Sequence, residues 1–291
     1  MVTIIRDNDK CQKCGICVLT CPLSIFTQEN EDSIPEIADL GLCVSCGHCV
    51  SICPQNAIHH SEYPDDSIKQ INVEKIPSRE DLMELLRTRR STRVFLDRPV
   101  ERKLIEEIIG AALYAPSAHN LQTTEYIVIQ DKGLLEKVAN ATDKFYEKLV
   151  SQLHNPLIRQ IIRIMNRKQA SGIIEILLPS FENLLVEVKN GRDPVLRDAP
   201  VLMLFHADER AVLADINAQL ALQNAALMAY AQGLGSFWTG YLVSACERDK
   251  YIRRLVNLPD KHKVYGGLAI GYPRFKFNKW PERRTPKITW L

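Results

Sequence analysis

CQKCGICVLTCP at residues 11–22 and CVSCGHCVSICP at residues 43–54 are two copies of one pattern, C-x2-C-x2-C-x3-C-P. Eight of the nine cysteines fall in this internal repeat: Cys11, Cys14, Cys17 and Cys21, then Cys43, Cys46, Cys49 and Cys53. Three readings compete for so dense a set of thiols: a disulfide framework, a pair of zinc sites, or iron-sulfur ligation. A reducing compartment disfavours disulfides, and zinc pairs seldom repeat four cysteines at this spacing. A [4Fe-4S] cube needs four thiolates on its corners; a short loop wraps three around it and carries the fourth cysteine past. In the bacterial two-cluster arrangement that fourth cysteine ligates the other cube. The spacing therefore assigns Cys11, Cys14, Cys17 and Cys53 to one cluster, and Cys43, Cys46, Cys49 and Cys21 to a second.

The segment closely resembles bacterial-type two-cluster ferredoxins, which implies a small pseudo-twofold fold whose clusters relay single electrons. Gly15 and Gly47 sit between ligands, where a missing Cβ lets the backbone approach the cage. Pro22 and Pro54 turn the chain after each fourth cysteine. His48 stands between two ligands and is placed to tune a cluster through a hydrogen bond. Residues 1–62 carry three Lys/Arg against eight Asp/Glu, leaving the rest of the chain at 34 against 27. The front is thus at −5 and the body at +7. That is unlike a nucleic-acid binder and suits a module docking on a basic redox partner, although an unevenly solvated surface accounts for it equally well.

A chain of 291 residues, 46% hydrophobic and 25% charged, is long enough for two soluble globular domains. MVTIIRDNDK has no signal-peptide core, and no apolar run reaches membrane-spanning length, so the expected setting is cytoplasmic with no membrane partner. The expected organisation is a cluster domain over 1–62, a polar linker over 63–78 with Pro64 and Pro77, and a larger domain over 79–291. The linker has room for one short strand.

In that larger domain the apolar spacing after Ser78 and around Leu104 to Ala112 predicts two amphipathic helices. Residues 124–130, 200–206 and 264–270 read as buried strands. Residues 213–232, apolar nearly all round, read as a helix covered on most sides, as at a subunit interface, and 248–257 as a further helix. Residues 133–195 read as a mostly helical excursion forming a lid or a dimer contact. Gly233-Leu-Gly235 reads as a helix stop rather than a dinucleotide loop, since no strand precedes it. The tail from Tyr272, with three prolines, reads as an extended arm. Few strands and many helices without strict alternation indicate an α+β fold.

Arg89-Arg90-Ser91-Thr92-Arg93-Val94-Phe95 combines guanidiniums and hydroxyls, the donors a phosphomonoester wants. A solvated basic helix end would look the same. The turn Ala115-Pro116-Ser117-Ala118-His119-Asn120-Leu121-Gln122 adds side-chain amides between a helix and a strand. Together the two runs resemble the nitroreductase (flavin reductase) family, with its R-x-S-x-R-x-F and A-P-S-x-x-N-x-Q signatures. The likeness continues through DAPVLMLFHAD, the Ala-rich helix and LAIGYP, covering about residues 79–291.

The resemblance implies an FMN-binding fold, a central mainly antiparallel sheet flanked by helices, and a homodimer whose interface builds the flavin site. It implies that Arg89 and Ser91 meet the FMN phosphate or ribityl chain, with Arg90, Pro116, Ser117 and Gln122 in the same flavin-contacting runs. It puts Arg93 and Asn120 at the pyrimidine edge, Thr239 and Gly240 near N5, and Arg283 or Arg284 at the phosphate. Arg93, Thr239 and Gly240 are the catalytic candidates, because a cation at N1/O2 stabilises the charge that two-electron reduction puts there.

Two departures limit what can be carried over: Thr123-Thr124 stands where many relatives have Pro-Trp, and Thr239-Gly240 where some have Glu-Gly. The expected function is an FMN-dependent oxidoreductase. Its clusters take single electrons from ferredoxin or a similar donor, and its flavin reduces a nitro compound, quinone or similar small electrophile. A carrier without small-molecule turnover and a reversed flow from NAD(P)H are the alternatives. Cys246 and His119 are expected to have no special role.

Overall fold

Alternating apolar residues at 4–6 and 58–60 pair as antiparallel strands in the computed structural model, which describes residues 2–165 and 176–291. By contacts the chain divides into two units. One comprises Met1–Ser78 with Ala118–Leu121, the other Arg79–Ser117 with Gln122–Leu291.

The first unit shows its repeat in space. β1 (Ile4–Arg6) pairs with β4 (Ile58–His60), and β2 (Phe26–Thr27) with β3 (Glu36–Ile37), both antiparallel. Each cysteine run enters a five-residue helix, α1 (Ile16–Thr20) or α2 (His48–Ile52). Gly15 and Gly47 precede these helices at φ of 68° and 74°, a left-handed geometry that glycine adopts without a Cβ penalty. A side chain on Gly15 would also collide with Gln28. Helix entry in the left-handed conformation is thus a second reason for glycine at both positions. Ile4, Ile25, Phe26, Val50 and Ile58 form the small core. Residues 63–78 contain 3-10 turns at Asp65–Ser67 and Val73–Lys75, with no strand of their own beyond a single bridge from Tyr63 to His60.

The second unit is built on one antiparallel sheet. Its strands are β5 (Glu125–Ile129), β6 (Val201–Asp208), β7 (Gly235–Trp238) and β8 (His262–Gly271), in the order β5-β6-β8-β7. β6 is buried along nearly its whole length because helices cover both faces. On one side α4 (Arg102–Leu113) and α8 (Ala214–Ala231) pack Ile105, Ile108, Ala218 and Ala225 against Met203, Phe205 and Ile270. On the other, α5 (Lys132–His154), α7 (Leu178–Lys189), α9 (Gly240–Arg248) and α10 (Lys250–Leu255) pack Val138, Tyr146, Leu184, Leu242 and Ile252 against Leu202 and Leu204. This is an α+β sheet flanked by helices, as the residue pattern indicates.

The excursion at 133–195 consists of α5, α6 (Pro156–Met165) and α7, with residues 166–175 outside the described residues. Two elements differ from the sequence reading. Gly235 opens β7 instead of merely closing the preceding helix, while Gly233, at φ 78°, is the stop. The helix read over 248–257 begins only at Lys250, after an unforeseen α9 and a break at Asp249, whose carboxylate caps Tyr251 and Ile252. α3 (Arg79–Thr88) buries none of its residues within the chain, leaving Leu82, Met83 and Leu86 exposed. The tail beyond Pro273 has no regular structure.

Candidate functional site

The eight repeat cysteines gather in two cavities. Cys11, Cys14, Cys17 and Cys53 line one with Gly15, Pro54 and Ile58. Cys21, Cys43, Cys46 and Cys49 line the other with Pro22, Gly47, His48 and His60. Each cavity takes three thiols from one copy of the repeat and the fourth from the other. Burial pushes the Cys49 thiol up to about 11, with Cys46 and Cys43 adding like-charge repulsion, and Cys17 is raised for the same reasons. Four crowded, partly buried thiols remain thiolates only beside a cation, which is the donor chemistry an iron-sulfur cube needs.

Backbone and ring groups complete these walls. The N–H of Ala57 donates to Cys53 Sγ at 3.2 Å, and Nε2 of the buried His60 lies 3.5 Å from Cys43 Sγ. His60, seventeen residues from Cys43, escaped the sequence reading, which had singled out His48. In the loop between Cys43 and Cys46, the Ser45 carbonyl accepts from Asn120 Nδ2 at 2.6 Å and from the Tyr63 hydroxyl. Asn120 is thus tied to a cysteine-loop carbonyl in this structure. Its turn is strained, with His119, Asn120 and Gln122 all at φ near +50°.

In the second unit, the run 89–95 lies along the edge of β7. Thr92 N donates to Ser236 O at 3.0 Å, and Leu96 N to Tyr272 O at 2.9 Å. A Cβ on Gly235 would sit about 2.6 Å from Thr92, so glycine permits this approach. Phe95 stacks on Phe237 with centroids 6.2 Å apart, and the Arg93 guanidinium stands 5.8 Å from the Phe237 centroid. This presents Arg93 to a cavity of about 420 Å³ lined by Tyr146, Phe181, Phe237, Trp238, Thr239 and Gly240, with Arg197 as a second guanidinium on its wall.

Thr239 is buried, its N–H donates to Gly267 O at 2.9 Å, and its Oγ1 has no partner among the described residues. It also precedes α9, whose first turn no side chain caps. An uncapped helix start beside a guanidinium favours negative charge in the cavity.

The other residues from the sequence analysis fall elsewhere within the unit. Pro116, Ser117 and Gln122 line a smaller cavity with Thr124, Tyr126 and Asn217, where Ser117 Oγ accepts from Gln122 N. Arg89 is partly buried, and its pKa is lowered by desolvation and by the charges of Arg90 and Arg283. Three guanidiniums thus converge with no carboxylate paired to them among the described residues, although Arg90 spends two bonds on the carbonyls of Arg87 and Arg89. Ser91 is exposed and bridges to Ser236. Arg284 is exposed in the tail, which Arg87 steadies by lying 5.2 Å over Trp280. Cys246 is buried, and burial raises its thiol to about 12, as an inert core residue.

Comparison with known proteins joins these features. Residues 86–272 match the nitroreductase family model. The chain belongs to the nitroreductase family. Residues 10–58 match a 4Fe-4S dicluster domain, so a ferredoxin-type module precedes the nitroreductase domain. The chain is 28% identical over 213 residues to nitrobenzene nitroreductase of Ectopseudomonas oleovorans, covering 68% of this chain and 88% of the relative. It is 25% identical over 201 residues to FMN reductase [NAD(P)H] of Bacillus subtilis, covering 69% of each. A crystal structure of a nitroreductase with bound FMN from Bacteroides fragilis shares the fold, with TM-score 0.53, 20% identity, and 72% of this chain and 98% of that one covered. No helix among the described residues is long and apolar enough to cross a membrane.

Proposed function

We propose that this protein is an iron-sulfur flavoprotein that takes up single electrons on two [4Fe-4S] clusters and spends them, through FMN, on two-electron reduction of a small electrophile such as a nitro compound or quinone. That it is an FMN-dependent oxidoreductase rests on its family membership and on a nitroreductase relative at 28% identity. Two clusters, rather than one, are supported by the two cavities with four cysteines each.

When bound, the clusters carry one electron at a time, while the flavin stores two and supplies hydride. Cys11, Cys14, Cys17 and Cys53 would hold one cube, and Cys43, Cys46, Cys49 and Cys21 the other. The unpaired guanidiniums of Arg89 and Arg283, with Arg90, Arg284 and Ser91, would hold the FMN phosphate. Arg93, Thr239 and Gly240 would face its reactive ring: Arg93 neutralises charge, and Thr239 Oγ1 offers a hydrogen bond it does not otherwise make. Pro116, Ser117 and Gln122 would supply the flavin-side turn of the family pattern, with Asn120 between them in sequence and free to reach the pyrimidine edge only by giving up the Ser45 carbonyl. The aromatic walls Phe237, Trp238 and Tyr241 exclude water from a planar ligand.

The observation that carries this reading is the pairing, in one chain, of two four-cysteine cavities with a nitroreductase domain whose cavity presents Arg93 and an unpartnered Thr239. Exposed apolar residues on α3 and α8, including Leu82, Leu86, Ile216 and Leu220, support a homodimer. A cytoplasmic setting, where thiols stay reduced, suits the cysteines.

Anaerobic mixing with a reduced ferredoxin tests the direction of flow. The clusters and then the flavin should bleach, and a nitroaromatic or quinone should restore both; a flavin that stays oxidised beside reduced clusters refutes it. The name of the B. subtilis relative favours a second reading, in which NAD(P)H reduces FMN and the clusters export electrons. Stopped-flow mixing with NADH or NADPH separates the two, since slow or absent flavin bleaching removes the second.

A further inference from the structure

We infer that Glu125, His206 and His262 form a binding site for one divalent transition-metal ion of the Zn²⁺ class, at the end of the central sheet. The three residues lie far apart in sequence and meet through strand pairing. Glu125 on β5 stands directly opposite His206 on β6, and His262 begins β8, two residues before the His206 partner Val264. Side chains two apart on a strand share a face, so all three project to the same side.

A register irregularity falls between Phe205 and His206, and such bulges re-aim a side chain beside a functional position. Here it serves a buried imidazole: His206 is only 2% exposed, whereas His262 is partly exposed and Glu125 open to solvent. The site is therefore anchored on the inside and accessible from the outside.

The geometry fits an ion. His206 Nδ1 and His262 Nδ1 are 3.0 Å apart, and the three ligand atoms lie within 4.8 Å of one another. Tetrahedral zinc with bonds of about 2.0–2.1 Å sets its ligands about 3.3 Å apart, and the solvent-open Glu125 side chain has the rotamer freedom to close the remaining gap. Two imidazoles and a carboxylate are a borderline donor set that selects zinc-like ions over calcium or magnesium. The fourth corner remains for water. The neighbouring acid, Asp208, is held by Arg210 through bonds of 2.9 and 2.7 Å and does not compete. Such an ion would pin three strands at one end of the sheet, far in sequence from the cysteine repeat. Nothing in this assignment depends on the electron-transfer reading.

The test uses untagged, cluster-loaded protein, so that iron occupies the cysteines equally in every sample. It is titrated with Zn²⁺ against a chromophoric chelator and melted with and without the ion. Wild type should bind one Zn²⁺ per chain and melt higher in its presence. His262→Ala and the gentler Glu125→Gln should each weaken binding by about tenfold or more and shrink the thermal shift, as loss of a ligand does. Co²⁺ in the same site should give tetrahedral d–d absorption without a thiolate charge-transfer band. Absence of binding, or equal affinity and thermal shift in wild type and both variants, overturns the assignment and leaves His206 and His262 as a simple hydrogen-bonded pair.

Discussion

Nε2 of His60 lies 3.5 Å from Sγ of Cys43, and the ring of Tyr63 tilts against His60 with centroids 5.2 Å apart. An N–H directed at a cluster thiolate stabilises the more negative, reduced state. Replacing His60 with Phe keeps the ring and removes the donor. The potential of one cluster should fall by about 20–60 mV, the one-electron equivalent of a hydrogen bond worth about 0.5–1.5 kcal/mol. An EPR-monitored redox titration reads this directly, and the other cluster should not move.

Arg93 has no carboxylate partner among the described residues and leans on Phe237 at the edge of the large cavity. Its replacement by Met should slow flavin reduction about 100-fold, as removal of a preorganised charge-stabilising donor does, while FMN content holds. Rapid-mixing absorbance under anaerobic conditions measures the rate. Equal rates would remove Arg93 from the chemistry.

Gly267 sits where β8 passes beneath Thr239, and a Cβ there would overlap Thr239 Oγ1 and crowd Leu204 and Val243. Gly267→Ala should destabilise the domain by about 1–3 kcal/mol through overpacking, and displace Thr239. Lower FMN retention on gel filtration with a lower melting temperature is the expected pair of results. Gly110→Ala, in open space within α4, is the control: it should leave FMN retention unchanged and lower the melting temperature not at all, since alanine is the better helix former.

Asp143 on α5 is partly buried with Oδ1 unpartnered; desolvation and then the charge of Asp193 raise its pKa to about 6. A raised carboxyl is protonated in the folded state when the unfolded chain has already ionised it. Stability is therefore lost as pH rises from about 4 towards about 6, and the deficit persists above that. Asp143→Asn should melt higher than wild type at pH 7.5 and lose that advantage towards pH 5. Partial exposure screens the effect to about 1 kcal/mol, a rise of about 2–4 °C.

What could be read in advance followed the range of each signal. The cysteine runs and the strands around Tyr126, Leu204 and Leu268 are local patterns, so the family, the cofactor chemistry and the flanked antiparallel sheet were legible. β7 was not, because GSFW is four residues long and directly follows a long apolar helix. His60 was missed for a different reason: it lies outside the repeat, and only the tertiary fold brings it within 3.5 Å of Cys43. The meeting of Glu125 with two histidines needed the strand order and a bulge, neither of which periodicity encodes. Asn120 shows the converse case, a residue that motif matching directs to one ligand and that tertiary structure engages with a backbone carbonyl.

The sheet order β5-β6-β8-β7 places β8, the latest of its strands in the chain, between two earlier ones. Until β8 has emerged, β6 and β7 have no common neighbour, so the sheet closes only after its other three strands are in place. The paired strands of the cysteine module, by contrast, are all present once His60 has been added. The strand framework around the eight repeat cysteines is thus specified before any strand of the larger sheet has been made.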